Sequence, residues 1–110
     1  MIADKAMEAV GQAVAYELQN IVKEHGATYN SAHEGYAILK EEYVEAVTCV
    51  RGLGDKLDAL WSSIKININN ESAVEQGKQF AIALAEEAVQ CAAVCERLME
   101  TFGGINGDEK

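Results

Sequence analysis

The sequence predicts an all-α fold, a bundle of two long antiparallel helices and a shorter N-terminal helix. Three observations predict it. The chain has no proline in 110 residues, so nothing forces a break inside a helix. Apolar residues, chiefly Ala, Val, Ile and Leu, make up 49%; they recur every three or four positions, and no run alternates as a half-buried strand would. Aromatics are only 6%. The length suits a single domain, placed at 1–103 with 104–110 as a flexible tail.

The first helix is expected from about Ile2 to Glu24. Ala3, Met7, Val10, Val14, Leu18 and Ile21 share one face. His25-Gly26 is its stop: a cation-capable side chain at the negative helix end, then a glycine for the C-cap. A connector runs from Ala27 to Ala32.

The second helix starts at the capping pattern Ser31-x-x-Glu34. Tyr36, Leu39, Tyr43, Ala46, Val50, Leu53, Leu57, Leu60 and Ile64 then alternate in steps of three and four, which supports one helix to about Lys65. Gly52 and Gly54 weaken its middle and allow a bend. Asn67–Ser72 reads as a turn, with Asn70 or Ser72 as the cap of the third helix. Ala81, Leu84, Ala88, Cys91, Cys95, Leu98 and Phe102 carry the same alternation, and Gly103-Gly104 is the expected end. Helices of about 30 residues reach about 45 Å. A single chain of this shape leaves apolar surface uncovered, so a homo-oligomer, dimer or tetramer, is expected. Ala81, Ala85, Ala88 and Ala92 would let helices approach closely.

Net charge is −9. Such a surface repels phosphate backbones and anionic membranes, so neither nucleic acid nor membrane is an expected partner. No apolar run is long enough to span a bilayer, and the N-terminus lacks a signal-peptide layout. These features predict a cytoplasmic protein. Cys49, Cys91 and Cys95 are an odd set for a disulfide framework. Cys91 and Cys95 share a helix face and read as small buried apolar residues.

The chemistry-bearing pattern is Glu41-Glu42-Tyr43-Val44-Glu45, an E-E-x-x-E. Glu42 and Glu45, three apart, share a face. Glu87 and Gln90 hold the equivalent station beside the seam of the third helix. Both groups interrupt a second apolar row: Ile38, Glu42, Glu45, Cys49 on one helix and Phe80, Ala83, Glu87, Gln90, Val94 on the other. Carboxylates set in apolar rows are expensive to bury without compensation, and an all-oxygen ligand set suits Mg²⁺ or Mn²⁺. A hairpin centred on residue 68 or 69 would put Glu45 level with about Ala92, offsetting the two groups by roughly 7 Å. The alternative, ordinary surface glutamates or salt bridges to Lys40 or Lys56, stays open. His33 sits in a first helical turn, and Trp61 lies beside Leu60 and reads as packing. Arg51–Gly54, RGLG, is too weak a pattern for a phosphate loop, and no G-x-x-x-x-G-K-[ST] motif occurs.

The segments HEGYAILKEEYVEA, LWSSIK and LAEEAVQCAAV resemble the MazG-like all-α nucleotide pyrophosphohydrolase superfamily, and are most similar to its small phage-associated members in Gram-positive bacteria. The resemblance covers about residues 31 to 100. The family pattern is E-E-x-x-E in one helix and E-x-x-D in the next. The resemblance implies Mg²⁺-dependent cleavage of a nucleoside triphosphate to the monophosphate and pyrophosphate, in a bundle completed by a second subunit. By position it makes Glu42, Glu45 and Glu87 metal ligands, with Glu41 auxiliary in the catalytic set. Gln90, the fourth ligand position, stands where the family has Asp. An amide oxygen still ligates, but one negative charge and any general-base role at that position are lost. The separation between the two motifs is also longer than in typical members. Two readings follow: a pyrophosphohydrolase, or a catalytically inactive helical binding module that keeps the scaffold.

Overall fold

The computed structural model describes residues 2–108, with side chains as far as Gly103. It holds three helices: α1 (Asp4–His25), α2 (Ala32–Lys65) and α3 (Glu71–Asp108). No strand is present among the described residues. α2 and α3 form a long antiparallel hairpin, and α1 packs on α3 rather than on α2. Ala13 and Glu17 stand by Glu86 and Gln90, and His25 stands by Arg97. α1 therefore runs parallel to α3.

Local chemistry explains the helix ends. α1 closes at Gly26, whose φ of 89° suits glycine and whose N–H donates to the Val22 carbonyl at 2.8 Å. Ser31 caps α2: its Oγ accepts from the Glu34 N–H at 3.1 Å. Glu34 spends its carboxylate on the Asn30 amide and so completes only half of a capping box. Asn70, not Ser72, caps α3. Its Oδ1 accepts from the Ala73 N–H at 3.0 Å, and its Nδ2 donates to Ser63 Oγ at 3.0 Å, which ties the turn to α2. Asn67 holds the one left-handed non-glycine backbone among the described residues, φ 60°, a conformation asparagine tolerates better than most. α3 does not stop at Gly103-Gly104 but continues to Asp108. A glycine costs about 1 kcal/mol in a helix relative to alanine, and no proline follows to end it. The first part of the expected tail is thus helical, and 109–110 lie outside the described residues.

The inward faces of the hairpin differ from the seams expected from periodicity. Gly35, Glu42 and Cys49 of α2 are buried or half-buried, whereas Tyr36, Tyr43, Val50, Leu57 and Ile64 are exposed. On α3, Ala73, Gly77, Phe80, Glu87, Val94 and Thr101 turn inward, while Ala81, Ala88, Cys95 and Phe102 face out. Leu84, Cys91 and Leu98 keep their expected half-buried places. Cys95 is therefore not a buried packing residue; Cys49 and Cys91 are half-buried. The packed face lies between the two rows: Leu39, Ala46, Leu53 and Leu60 of the expected seam stay half-buried, and the row holding Glu42 and Cys49 joins them while the Tyr36–Ile64 side turns out.

The register also differs. Gly35 lies against Leu98 and Gly52 against the Phe80 ring, and Ser63 bonds Asn70. These pairs centre the hairpin near residue 66, not 68 or 69. The Ile66 and Ile68 amides both return to the Ser63 carbonyl, so the chain turns earlier than the run of polar residues suggests. α2 runs through Gly52 without a break, and Gly52 makes room for the Phe80 ring.

The core sits at the open end of the hairpin. Tyr29, Ala93, Val94, Arg97 and Thr101 are buried there under the connector between α1 and α2. The chain is elongated. Its extents are 66 × 30 × 23 Å and its radius of gyration is 18.4 Å, against about 13 Å for a compact domain of this length. No helix is long and apolar enough to cross a membrane among the described residues.

Candidate metal centre

The corrected register brings Glu45 level with Glu87 instead of Ala92. Glu42 and Glu45 come from successive turns of α2 and meet Glu87 of α3, with one oxygen from each carboxylate within 4.8 Å of the others. Glu42 and Glu87 are half-buried between the helices, and Glu45 is exposed at the edge. Glu87 Oε2 is buried and receives no hydrogen bond from an N–H or hydroxyl donor; only a proton on one of the three carboxyls can bridge them. A buried acceptor left unpaired costs about 1–3 kcal/mol, more when charged.

Protons are drawn into this cluster. The hydrogen bond to Glu87, and then the Glu87 charge, hold the Glu45 carboxyl above its ordinary value. Burial, and then the hydrogen bond with Glu42, raise Glu87. Cys91, one turn beyond Glu87, is raised too, first by burial and then by the Glu42 charge. Its thiol therefore stays protonated and is a poor thiolate ligand.

The other expected site residues fall into place around the cluster. Glu41 is exposed and close enough to Glu45 for its charge to raise that group. Gln90 is half-buried. It lines a groove of about 520 Å³ between α1 and α3, together with Ala13, Tyr16, Glu17, Glu86 and Val89. None of the three glutamates lines this groove, and Gln90 is not among the groups that converge with them. His33 is exposed in the first turn of α2. Trp61 is 58% exposed and is not packed; its ring has the Lys65 ammonium 5.9 Å from its centroid. Sequence reasoning missed Tyr16, Glu17 and Glu86. Glu86 carried a signal, as the neighbour of Glu87, but nothing in the sequence points from α1 to this groove.

The donor set fits a divalent cation. In an octahedral Mg²⁺ or Mn²⁺ site, opposite oxygens are about 4.2 Å apart, twice the metal–oxygen distance of about 2.1 Å. Only one pair of the three can be opposite; the others are neighbours, about 3.0 Å apart, so oxygens now spread over as much as 4.8 Å must draw in by up to about 1.8 Å to share one ion. In such a site the Glu87 oxygen would be the inner ligand and the exposed Glu45 the outer one. Comparison with protein-family models, curated proteins and solved structures found no match for this chain.

Proposed function

We propose that the protein binds Mg²⁺ or Mn²⁺ and hydrolyses a nucleoside triphosphate to the monophosphate and pyrophosphate. The observation that carries this reading is the convergence of Glu42, Glu45 and Glu87 around the unpartnered Glu87 oxygen. The E-E-x-x-E pattern and its resemblance to the MazG-like pyrophosphohydrolases supply the reaction.

Glu42 and Glu87 would hold the cation from the helix interface, and Glu45 from the solvent edge. A divalent cation supplies charge neutralisation to a polyphosphate, without which a chain of net charge −9 repels its substrate. The groove along Tyr16, Glu17, Glu86 and Gln90 would take the part of the substrate that extends past Glu87. Gln90 can donate its amide N–H to a phosphate oxygen, which an aspartate cannot do. Glu41 lies outside the trio and is exposed. It is the carboxylate free to accept a proton as the water oxygen bonds to phosphorus and pyrophosphate leaves.

The test is pyrophosphate release from a panel of nucleotides with Mg²⁺ or Mn²⁺. Glu42→Gln, Glu45→Gln and Glu87→Gln should each abolish turnover; activity indifferent to all three would remove the cluster from the mechanism. Gln90, in place of an acid, favours a second reading, a cation-binding scaffold without catalysis. Calorimetric metal binding with no turnover, and turnover gained in Gln90→Asp, would select it.

A further inference from the structure

We propose that the cavity at the open end of the hairpin, floored by Arg97, Glu34 and Ile38, binds a small zwitterion with an apolar side chain, the chemical class of a free α-amino acid. Arg97 lies ten residues beyond Glu87 on α3, about 15 Å along the helix axis, so this cavity is separate from the acidic cluster and from the activity proposed there.

The cavity has a volume of about 270 Å³, and every helix contributes to it. His25 ends α1, Thr28 and Asn30 belong to the connector, Glu34 and Ile38 to α2, and Arg97 to α3. Arg97 is buried and Glu34 and Ile38 are half-buried, whereas the other three are exposed and form the rim. The volume falls just below the range that takes drug-sized ligands, about 300–1,000 Å³, and suits something smaller.

The floor carries two charges that lack counter-ions. Arg97 is 5% exposed. Its Nε and Nη2 donate to the Gly26, His25 and Thr28 carbonyls, which leaves Nη1 without an acceptor among the described residues. No carboxylate pairs with it: the one ion pair among the described residues joins His25 to Glu24. Buried charges are ordinarily paired, so a guanidinium held only by carbonyls calls for an anion. Glu34 has the opposite deficit. Its Oε2 accepts from the Asn30 amide at 3.1 Å, while Oε1 receives no hydrogen bond and no cation neutralises the group among the described residues.

These two deficits select the ligand. Arg97 and Glu34 line the same cavity without forming an ion pair. A simple anion would satisfy Arg97 and be repelled by the Glu34 carboxylate; a simple cation would satisfy Glu34 and be repelled by the guanidinium. A molecule carrying both charges satisfies both. In an α-amino acid the carboxylate accepts from Arg97 Nη1 and the ammonium donates to Glu34 Oε1, both charge-assisted bonds. The side chain is left for Ile38, the one aliphatic residue of the lining.

The test uses the full chain, free of metal, and L-valine as the probe. Valine should shift the Thr28, Asn30 and Glu34 amide resonances in a nitrogen–proton correlation spectrum, in a saturable way. Isovalerate is valine without its ammonium, and isobutylamine is valine without its carboxylate. Each should bind about tenfold or more weakly, the loss of one hydrogen bond between charged groups. Glycine, which leaves Ile38 uncovered, should also bind more weakly than valine. Glu34→Gln keeps an oxygen for Asn30 and should bring valine down to the affinity of isovalerate; its melting curve reports whether it is folded. The analogues carry the Arg97 half of the test, so that no variant has to disturb the residue that holds the connector. Isovalerate binding as tightly as valine would overturn the proposal in favour of a site for anions alone. No shift at these amides with any of the four probes would overturn it as well and leave the cavity to water.

Discussion

Arg97 of α3 grips the end of α1 through Gly26, its Nε donating to the Gly26 carbonyl at 3.0 Å. Its Nη2 donates to the His25 and Thr28 carbonyls at 2.9 and 3.0 Å. Its guanidinium carbon lies 4.1 Å from the centre of the Tyr29 ring. This buried cation faces carbonyl oxygens at the negative end of a helix and an aromatic face. Tyr29 is fixed in turn: its N–H donates to Thr101 Oγ1, which donates to the Arg97 carbonyl.

Arg97→Ala would strand three carbonyls and free α1. The expected loss is about 3 kcal/mol, from three hydrogen bonds to a charged donor at about 1.5–3 kcal/mol each, partly offset because His25, Gly26 and Thr28 are exposed and water can replace the donor. Urea unfolding followed by circular dichroism measures it. Arg97→Lys should recover only part, since an ammonium lacks the planar fork. Full recovery by lysine would show that charge alone holds the connector.

The acidic cluster makes stability depend on pH in a defined direction. Glu45 and Glu87 are raised in the folded chain, so the fold binds their protons more tightly than the unfolded chain does. Their contribution is fully present below the ordinary glutamate value, about 4.3. It is lost as pH rises through their folded values. Without metal, thermal unfolding should therefore show a falling contribution over that window. Glu87→Gln should flatten it.

Millimolar Mg²⁺ or Mn²⁺ should raise the melting temperature at neutral pH and have little effect at pH values where the cluster is protonated, since binding stabilises only the state that holds the ion. Glu42→Gln and Glu87→Gln should abolish the rise. Differential scanning fluorimetry suffices, and an equal rise in both variants would place the ion elsewhere.

Glu41→Gln should separate the two functions of the acidic segment. Metal affinity by calorimetry should stay within about twofold, and kcat should fall by about 100-fold, the lower end for losing a general base. Equal losses of both would make Glu41 a ligand.

Asn70→Ala removes the α3 cap and the tie to Ser63. About 1–2 kcal/mol of stability should go with it. Asn70→Asp should keep the cap and lose only the bond to Ser63.

Three helix ends were legible in the sequence because caps are local chemistry: His25-Gly26 and Ser31 announce themselves within a few residues, and Asn70 was one of two cap candidates; the end of α3 was not, since Gly103-Gly104 only weakens a helix that continues. The inward face was not. Each long helix carries two rows of the same spacing, and periodicity alone favours the more apolar one, with Tyr43 and Ala88, over the one with Glu42 and Glu87. The acids were legible as a group, but their register was not, because the early turn at Ile66–Asn70 depends on amides returning to Ser63. Arg97 and Tyr29 act across some seventy residues, a distance that no window along the chain spans.

Gly35 and Gly52 have a consequence for the acids between them. Gly35 precedes Glu42 by seven residues, and Gly52 follows Glu45 by seven. Leu98 and Tyr29 fill the first gap and Phe80 the second, so each works as a notch engaged by a tooth from elsewhere in the chain. Two notches engaged at once forbid α2 and α3 from sliding past each other. The spacing of three oxygens is thus gauged by two residues that have no side chain at all, and a methyl group added at either one would detune a site about 10 Å away.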